Sequence, residues 1–88
     1  MRFVVLIEYT DMAARERALP VHRNYLAAGR DKGTVTESGP FADGKGGMYI
    51  LNVNDEDEAK AFVAGDPYTA AGLKLILRQF HSSRDVKS

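Results

Sequence analysis

The sequence of 88 residues predicts a single α+β domain, on the basis of three observations. Four short segments are rich in apolar and β-branched residues, as β-strands are. Two longer segments combine strong helix formers with a helical spacing of apolar side chains. The segments follow one another in the order βαββαβ, which is the split arrangement of the ferredoxin-like fold. We therefore expect a four-stranded antiparallel sheet with two helices on one face.

The first strand and the first helix are predicted from the opening third of the chain. Residues 3–9 are nearly all apolar, which at this length indicates a central strand covered on both faces. Thr10 or Asp11 can cap the helix that follows. Pro20 then indicates either a short helical turn followed by a main helix that starts there, or one helix bent at this residue. The helix is expected to end by Gly33.

A β-hairpin is predicted next. Residues 34–38 have the alternation of a strand, and Gly39-Pro40 stops it. The glycine-rich stretch 43–47 is a turn by composition. Residues 48–53 read as the returning strand, so the two strands should pair in antiparallel fashion.

The second helix is predicted from its capping and charge pattern. Asn54 or Asp55 can cap it, and the acidic residues in its first turn suit the positive end of the helix dipole. Gly65 followed by Pro67 ends it. The residues expected on its buried side are Ala59, Phe62 and Val63.

The last strand is predicted at 73–80, where leucines alternate with other residues. The chain then becomes polar, and a loose tail is expected over 82–88. The domain is predicted to occupy residues 1–81.

Charge and composition argue against several classes of partner. Twelve basic residues balance twelve acidic ones, and the two signs are interspersed, which argues against nucleic acid or an anionic membrane. Without cysteine there is no disulfide framework, thiol nucleophile or cysteine-bound metal. The apolar start is too short for a signal sequence and is followed by Glu8. We expect a cytoplasmic protein.

A homodimer is predicted from strands that are apolar on both faces. Every residue of 3–7 and of 48–51 is apolar, although helices can cover only one face of the sheet. A small domain can bury the bare face by packing sheet against sheet with a second copy. Leu6 or Leu51, whichever faces outward, would lie in that interface.

His22 is the first candidate for a functional residue. If Pro20 is the first helical residue, His22 is the third, and it shares one helix face with Tyr25, Leu26 and Gly29. There the helix dipole would favour a neutral imidazole, able to accept a proton or to ligate a metal. From this segment alone, a core histidine bonded to a backbone carbonyl is the more common alternative.

Several short motifs occur in a joint order and spacing that is informative, although none is specific alone. They are His22 with Tyr25-Leu26, then Gly33, then Ser38-Gly39-Pro40, then Asp66-Pro67-Tyr68 with Ala70-Ala71-Gly72. In these motifs, nearly the whole chain resembles the YciI-like (YCII-related) family of the dimeric α+β barrel superfamily.

The resemblance implies a small dimeric protein whose active site contains a histidine–aspartate pair, here His22 and Asp66. A hydroxyl residue near the Gly-Pro turn is also implied, and Ser38 matches it. Leu19 stands where many members have an arginine before the proline. If that arginine holds an anionic substrate in those members, this chain has no counterpart for it at that position. Phe80 is the nearest match to a tryptophan after the last strand.

The resemblance further implies cofactor-free proton transfer, elimination or isomerisation on aromatic or lactone-like molecules. His22 would act as the base, and a carboxylate on its other nitrogen would fix the tautomer and stabilise the imidazolium. Asp66 suits that role, although the local sequence equally allows a simple cap on Tyr68 or Thr69.

Other residues are candidates for substrate binding. The hydroxyls of Ser38, Tyr25 and Tyr68 could hydrogen-bond an enolate or phenolate oxygen. The backbone at Gly39 and Pro40 could approach a planar ring closely. Each tyrosine alone is more often a core residue.

Three classes of function are consistent with these residues, all with a small-molecule ligand. The first is a lyase or isomerase that uses His22 and Asp66 without a metal or organic cofactor. The second is a non-catalytic dimer that binds or senses a small molecule in the same pocket. The third is a metal-dependent enzyme in which His81 joins the pair.

Overall fold

The chain folds into the predicted α+β arrangement, seen in a computed structural model that describes residues 1–84. A four-stranded antiparallel sheet carries the helices on one face. The predicted tail over 82–88 lies partly outside the described residues, and the domain boundary at 81 stays a prediction. The elements are β1 (Arg2–Glu8), α1 (Met12–Asp31), β2 (Val35–Pro40), β3 (Gly46–Asn52), α2 (Glu56–Gly65), α3 (Pro67–Ala70) and β4 (Lys74–Phe80).

β1 and β3 form the centre of the sheet, whose strand order is β2-β3-β1-β4. Val5 in β1 lies opposite Tyr49 in β3 and opposite Leu77 in β4. Because side chains alternate between the two faces of a strand, every second residue of β1 points toward the helices. The core beneath the helices includes Phe3, Val5, Ile7, Tyr49 and Leu51, none more than 4% exposed.

α1 is a single helix that continues through Pro20, which is the one-helix arrangement of the two that were predicted. The interpretation of Pro20 as the first helical residue is wrong. The helix begins after Asp11, whose side chain accepts a hydrogen bond from the Ala14 amide at 3.1 Å. Pro20 lies on the exposed face, where water can bond the carbonyl that loses its amide partner. His22 therefore lies in the middle of a 20-residue helix, beyond the reach of the dipole effect expected at a helix start.

A β-bulge decides where the end of β2 points. Between Val35 and Glu37 the pairing with β3 shifts by one residue, which makes Thr36 the extra residue. As a result Ser38 pairs with Tyr49, on the face of the sheet that carries the helices. A regular strand would turn the Ser38 side chain to the opposite face.

A short helix, α3, follows α2, and the sequence patterns do not predict it. Asp55 caps α2 by accepting a hydrogen bond from the Glu58 amide at 2.8 Å. α3 begins at Pro67, and Asp66 is its cap. Asp66 therefore sits at the junction of the two helices. Of the residues predicted on the buried side of α2, Ala59 is fully buried, while Phe62 and Val63 are half-buried against the core.

The face of the sheet opposite the helices, called the outer face below, is also apolar. Leu6 lies there between Met48 of β3 and Ile76 of β4. Leu51 is fully buried in the core, so Leu6 is the outward-facing residue of the two. The apolar centre of the outer face consists of Val4, Leu6, Met48, Ile50 and Ile76, all half-buried. Charged residues border it, among them Arg78, which lies opposite Val4.

Within residues 1–84, none of the helices has the length and apolar character needed to cross a bilayer. The cytoplasmic location stays a prediction.

Candidate active site

His22 and Asp66 form a buried pair. Nδ1 of His22 lies 2.7 Å from Oδ1 of Asp66, although the two residues are 44 positions apart in the chain. His22 is 6% exposed and Asp66 is fully buried. The middle of α1 and the junction between α2 and α3 are thus packed so that these two side chains meet.

Two further hydrogen bonds fix the Asp66 carboxylate. The Tyr68 amide donates to Oδ1 at 2.9 Å, and the Tyr49 hydroxyl donates to Oδ2 at 2.9 Å. The amide bond is the helix cap that local sequence allows, so Asp66 is both the cap of α3 and the partner of His22. A carboxylate held by several donors keeps one orientation, as a residue that positions an imidazole must.

The hydrogen-bond pattern assigns the tautomer of His22. Both oxygens of Asp66 act as acceptors, so Nδ1 of His22 carries the proton that it donates. Nε2 then has a free lone pair, and no group in residues 1–84 donates a hydrogen bond to it. The neutral ring can therefore accept a proton at Nε2.

Tyr49 remains a donor throughout the ordinary pH range. Burial, together with the negative charge and the hydrogen bond of Asp66, raises the pKa of the Tyr49 hydroxyl far above its usual value. The phenol consequently stays protonated and keeps its bond to Oδ2.

Tyr68 fixes the plane of the imidazole. Its ring stacks on the His22 ring with a centroid distance of 3.6 Å and an angle of 3°. Tyr68 is 1% exposed, so the stack is held within the core. His22 is thus restrained in its plane by Tyr68 and at Nδ1 by Asp66.

A cavity of about 560 Å³ opens beside His22 and contains most of the predicted site residues. Tyr68, Ser38, Gly39 and Pro40 line it together with His22. β2 runs through Gly39 and Pro40, which were predicted to stop it, and both pair with β3. Because the bulge in β2 turns Ser38 toward the helices, this end of β2 and His22 share one pocket.

Tyr25 is not brought into this pocket. Its hydroxyl donates to the Phe62 carbonyl at 2.7 Å, and its ring packs against the Phe62 ring. A side chain at Gly65 would place a Cβ 2.6 Å from the Tyr25 hydroxyl, so the hydroxyl would have to shift from its present position. Through its two contacts with Phe62, Tyr25 connects α1 to the last turn of α2.

The Ser38 hydroxyl oxygen accepts a hydrogen bond from an arginine. Nη1 of Arg30 donates to the Ser38 Oγ at 2.7 Å, which leaves the hydroxyl hydrogen of Ser38 free to donate. Ser38 is half-buried at the mouth of the pocket. Its hydroxyl can therefore reach a ligand oxygen.

Sequence reasoning missed Tyr49, Arg30 and Arg15 as parts of the site. Arg15 lines the cavity and lies seven residues before His22, the spacing of one helix face. That spacing is visible in the sequence once α1 is read as continuous. Tyr49 carries no such signal, since an apolar strand residue is ordinarily core.

The residues of the metal-dependent alternative, His22, Asp66 and His81, do not lie together. Among residues 1–84, no group of three or more His, Asp or Glu side chains is placed to hold a metal ion. His81 lies at the end of the sheet where β1 starts, in a separate hollow with Met1 and Arg2, whereas His22 lies near the other end of β1.

The sheet topology and the buried pair define a class, the small α+β proteins with helices on one face of a four-stranded antiparallel sheet and a pocket beside a histidine–carboxylate pair. The chain belongs to the YCII-related domain family, whose model matches residues 1–81. The resemblance inferred from the sequence motifs is thus confirmed.

Among solved structures, the chain is similar to 5-chloro-2-hydroxyhydroquinone dehydrochlorinase (TftG) from Burkholderia phenoliruptrix AC1100, in a complex with 2,5-dihydroxybenzoquinone. The two chains are 24% identical, the match covers 98% of this chain and 100% of that chain, and the TM-score is 0.78. At this identity the match shows the fold. No curated protein matches the chain.

Proposed function

We propose that this protein is a cofactor-independent enzyme of the lyase or isomerase type in which His22 is the general base. The observation that carries the proposal is the 2.7 Å contact of His22 Nδ1 with Asp66, beside a cavity large enough for an aromatic metabolite. A histidine that served only as a core residue would need neither the carboxylate nor the cavity.

Nε2 of His22 would take a proton from a C–H or O–H group of the substrate. The electron pair left behind would either expel a leaving group from the neighbouring carbon or accept a proton at another carbon. Asp66 would stabilise the imidazolium formed in this step, and the proton would then return to product or water. The Ser38 hydroxyl would donate to the oxygen on which negative charge develops.

The structural neighbour supports a substrate class for this proposal. That protein is a 5-chloro-2-hydroxyhydroquinone dehydrochlorinase, and its structure contains 2,5-dihydroxybenzoquinone. Loss of a proton and of chloride from a ring is an elimination of the kind that a His–Asp base can promote. We therefore propose a hydroxylated aromatic or quinone-like molecule as substrate.

The test is turnover with substrates of this class, measured as chloride release from 5-chloro-2-hydroxyhydroquinone and as spectral change with unchlorinated analogues. His22→Gln should lower kcat by about 10²- to 10⁴-fold, the usual contribution of a general base. His81→Gln, which changes the other histidine, should leave kcat unchanged. Saturable binding without turnover would favour a binding or sensing dimer, and equal loss in both variants would refute a role of His22.

We also propose that the protein forms a homodimer through the outer face. A patch of five apolar residues in the middle of a sheet face, which nothing in residues 1–84 covers, is the kind of surface that monomeric proteins avoid. Packing it against a second copy would complete a two-sheet barrel.

Leu6→Lys should dissociate the dimer, because a lysine in the middle of the outer face would be buried without a partner. Light scattering at micromolar concentration should show the wild-type dimer and a monomeric variant. Ala61→Lys, on the exposed side of α2, should remain dimeric. A wild-type monomer at that concentration would refute this arrangement.

A further inference from the structure

Arg15 places a cation in the wall of the cavity without an ionic partner. Its guanidinium lies over the Tyr9 ring, 4.6 Å from the ring centroid. Within residues 1–84 no carboxylate pairs with it, and its Nε is buried without a hydrogen-bond partner. A buried donor of this kind is uncommon in a native structure unless something else supplies the acceptor.

The Tyr68 hydroxyl is a second unpartnered group beside this guanidinium. Tyr68 is 1% exposed and lines the cavity, yet its hydroxyl has no hydrogen-bond partner in residues 1–84. Burial raises the pKa of Tyr68, although the charge of Arg15 opposes this rise, so the hydroxyl stays protonated. Two unused donors, a guanidinium N–H and a phenol, therefore stand next to each other.

The guanidinium stays charged in this setting. Burial lowers the pKa of Arg15, but the neighbouring Tyr9 and Tyr68 oxygens raise it above its ordinary value. The Tyr9 ring meets the Tyr68 ring edge to face at 6.3 Å, so both aromatic neighbours are themselves packed. Arg15 is thus a fixed positive charge.

The remaining charges on the cavity wall are mostly positive too. Arg23 and Arg30 line it, and Glu37 is the one carboxylate among the lining residues in the described chain. Low-dielectric walls that carry an excess of one sign favour a ligand of the opposite sign. The cavity is therefore suited to an organic anion.

We propose that Arg15 is a substrate-binding residue that holds an anionic oxygen of the ligand, with Tyr68 as the second donor, so that the substrate is a planar organic acid in its ionised form. This rests on the function proposed above and narrows its substrate class. Arg15 and His22 lie about 10 Å apart along the axis of α1, two turns of one helix face. The anionic group would bind at one end of the molecule and the reacting carbon would face Nε2 at the other.

The probes are benzoate and its neutral isostere benzamide, each followed in wild-type protein by NMR of the Arg15 Nε–H and of the His22 ring. Benzoate should shift the Arg15 signal in a saturable way and should bind about ten-fold more tightly than benzamide, as a charge-assisted hydrogen bond implies. Equal binding of the two probes, or no response of Arg15 to benzoate, would overturn the inference. A response of the His22 ring without one of Arg15 would overturn it while leaving the proposed function intact.

Variants supply an independent readout. Arg15→Met should remove the preference for benzoate over benzamide, whereas Arg17→Met, on the exposed side of the same helix, should keep it. Arg15→Lys should retain part of the preference, since the charge remains but the planar fork is lost. A preference for benzoate that survives in Arg15→Met would contradict the proposal.

Discussion

Two polar clusters meet at Tyr68, and they differ in how their hydrogen bonds are satisfied. In the Asp66 cluster, made of Asp66, Tyr49 and the Tyr68 amide, both carboxylate oxygens have donors within 2.9 Å, including His22. In the Arg15 cluster, made of Arg15, Tyr9 and the Tyr68 hydroxyl, two buried polar atoms have none. The first cluster is complete without a ligand and holds the His22 ring in position. The second has two donors without an acceptor in the described chain, and the proposed anion site rests on them.

The largest expected effect is that of Asp66→Asn. The substitution removes the negative charge that accepts hydrogen bonds from His22, the Tyr49 hydroxyl and the Tyr68 amide. The new side-chain NH2 group is itself a donor, and it would face at least one of these three donors. We expect the free energy of unfolding to fall by about 3–5 kcal/mol, the usual cost of breaking a buried charged pair, together with a steep loss of activity. Urea denaturation measures the first and turnover the second.

Asp57→Asn, in the exposed first turn of α2, is the matched control and should change stability by less than about 0.5 kcal/mol. If Asp66→Asn proved as mild as this control, the Asp66 cluster would not be a stabilising network.

Tyr49→Phe should have the next largest effect. It removes the donor to Oδ2 of Asp66 and leaves a buried carboxylate oxygen unpaired. A hydrogen bond to a charged group contributes about 1.5–3 kcal/mol, and we expect a loss of stability in that range. Tyr25→Phe removes a similar bond to a neutral carbonyl and should cost about 1 kcal/mol. Equal losses in the two variants would show that Asp66 does not depend on Tyr49.

Stability should also fall at alkaline pH. Burial raises the pKa of Tyr49, Tyr68 and Tyr25 in the folded protein above that of the unfolded chain. Their contribution is therefore complete below the unfolded value near ~10 and is lost as pH rises toward the folded values. Urea unfolding between pH 8 and pH 11 should show this decline, and Tyr49→Phe should make it shallower. A stability curve that is flat up to pH 11 would contradict the buried state of these phenols.

The smallest effect on stability is expected at the Arg15 cluster. Arg15→Met gives up a contact with the Tyr9 ring worth about 0.5–1 kcal/mol, but it also removes a buried donor that has no partner. The two changes oppose each other, so thermal unfolding should match the wild type closely, although anion binding is lost. A large destabilisation by Arg15→Met would mean that the cluster serves the fold rather than a ligand.

Much of the fold could be predicted from the sequence because local patterns encode it. The order βαββαβ follows from the apolar segments and caps, and Asp11 and Asp55 act as two of those caps. Pro20 left two arrangements of α1 open in the sequence, because the effect of a proline on a helix depends on whether it lies on an exposed face. The bulge at Thr36, which turns Ser38 into the pocket, depends on pairing with β3 and has no local signature.

The site could be predicted only in part. His22, Asp66 and Ser38 came from the joint order of the family motifs, since local sequence left His22 and Asp66 with structural alternatives. For Asp66 the two alternatives, a helix cap and a partner of His22, do not exclude each other, because Asp66 caps α3 and also pairs with His22. Tyr49 could not be foreseen because its role arises where β3 passes beneath the junction of α2 and α3.

The most direct test of the account is the tautomer of His22, read from the ¹⁵N chemical shifts of the imidazole at neutral pH. We expect the neutral form of the ring to carry its proton on Nδ1 and a free lone pair on Nε2, and we expect a different ring spectrum in Asp66→Asn. His81 serves as an internal reference whose signals should not change in that variant. A neutral His22 with its proton on Nε2, or a His22 spectrum identical in the two proteins, would contradict the assignment of His22 as a base positioned by Asp66.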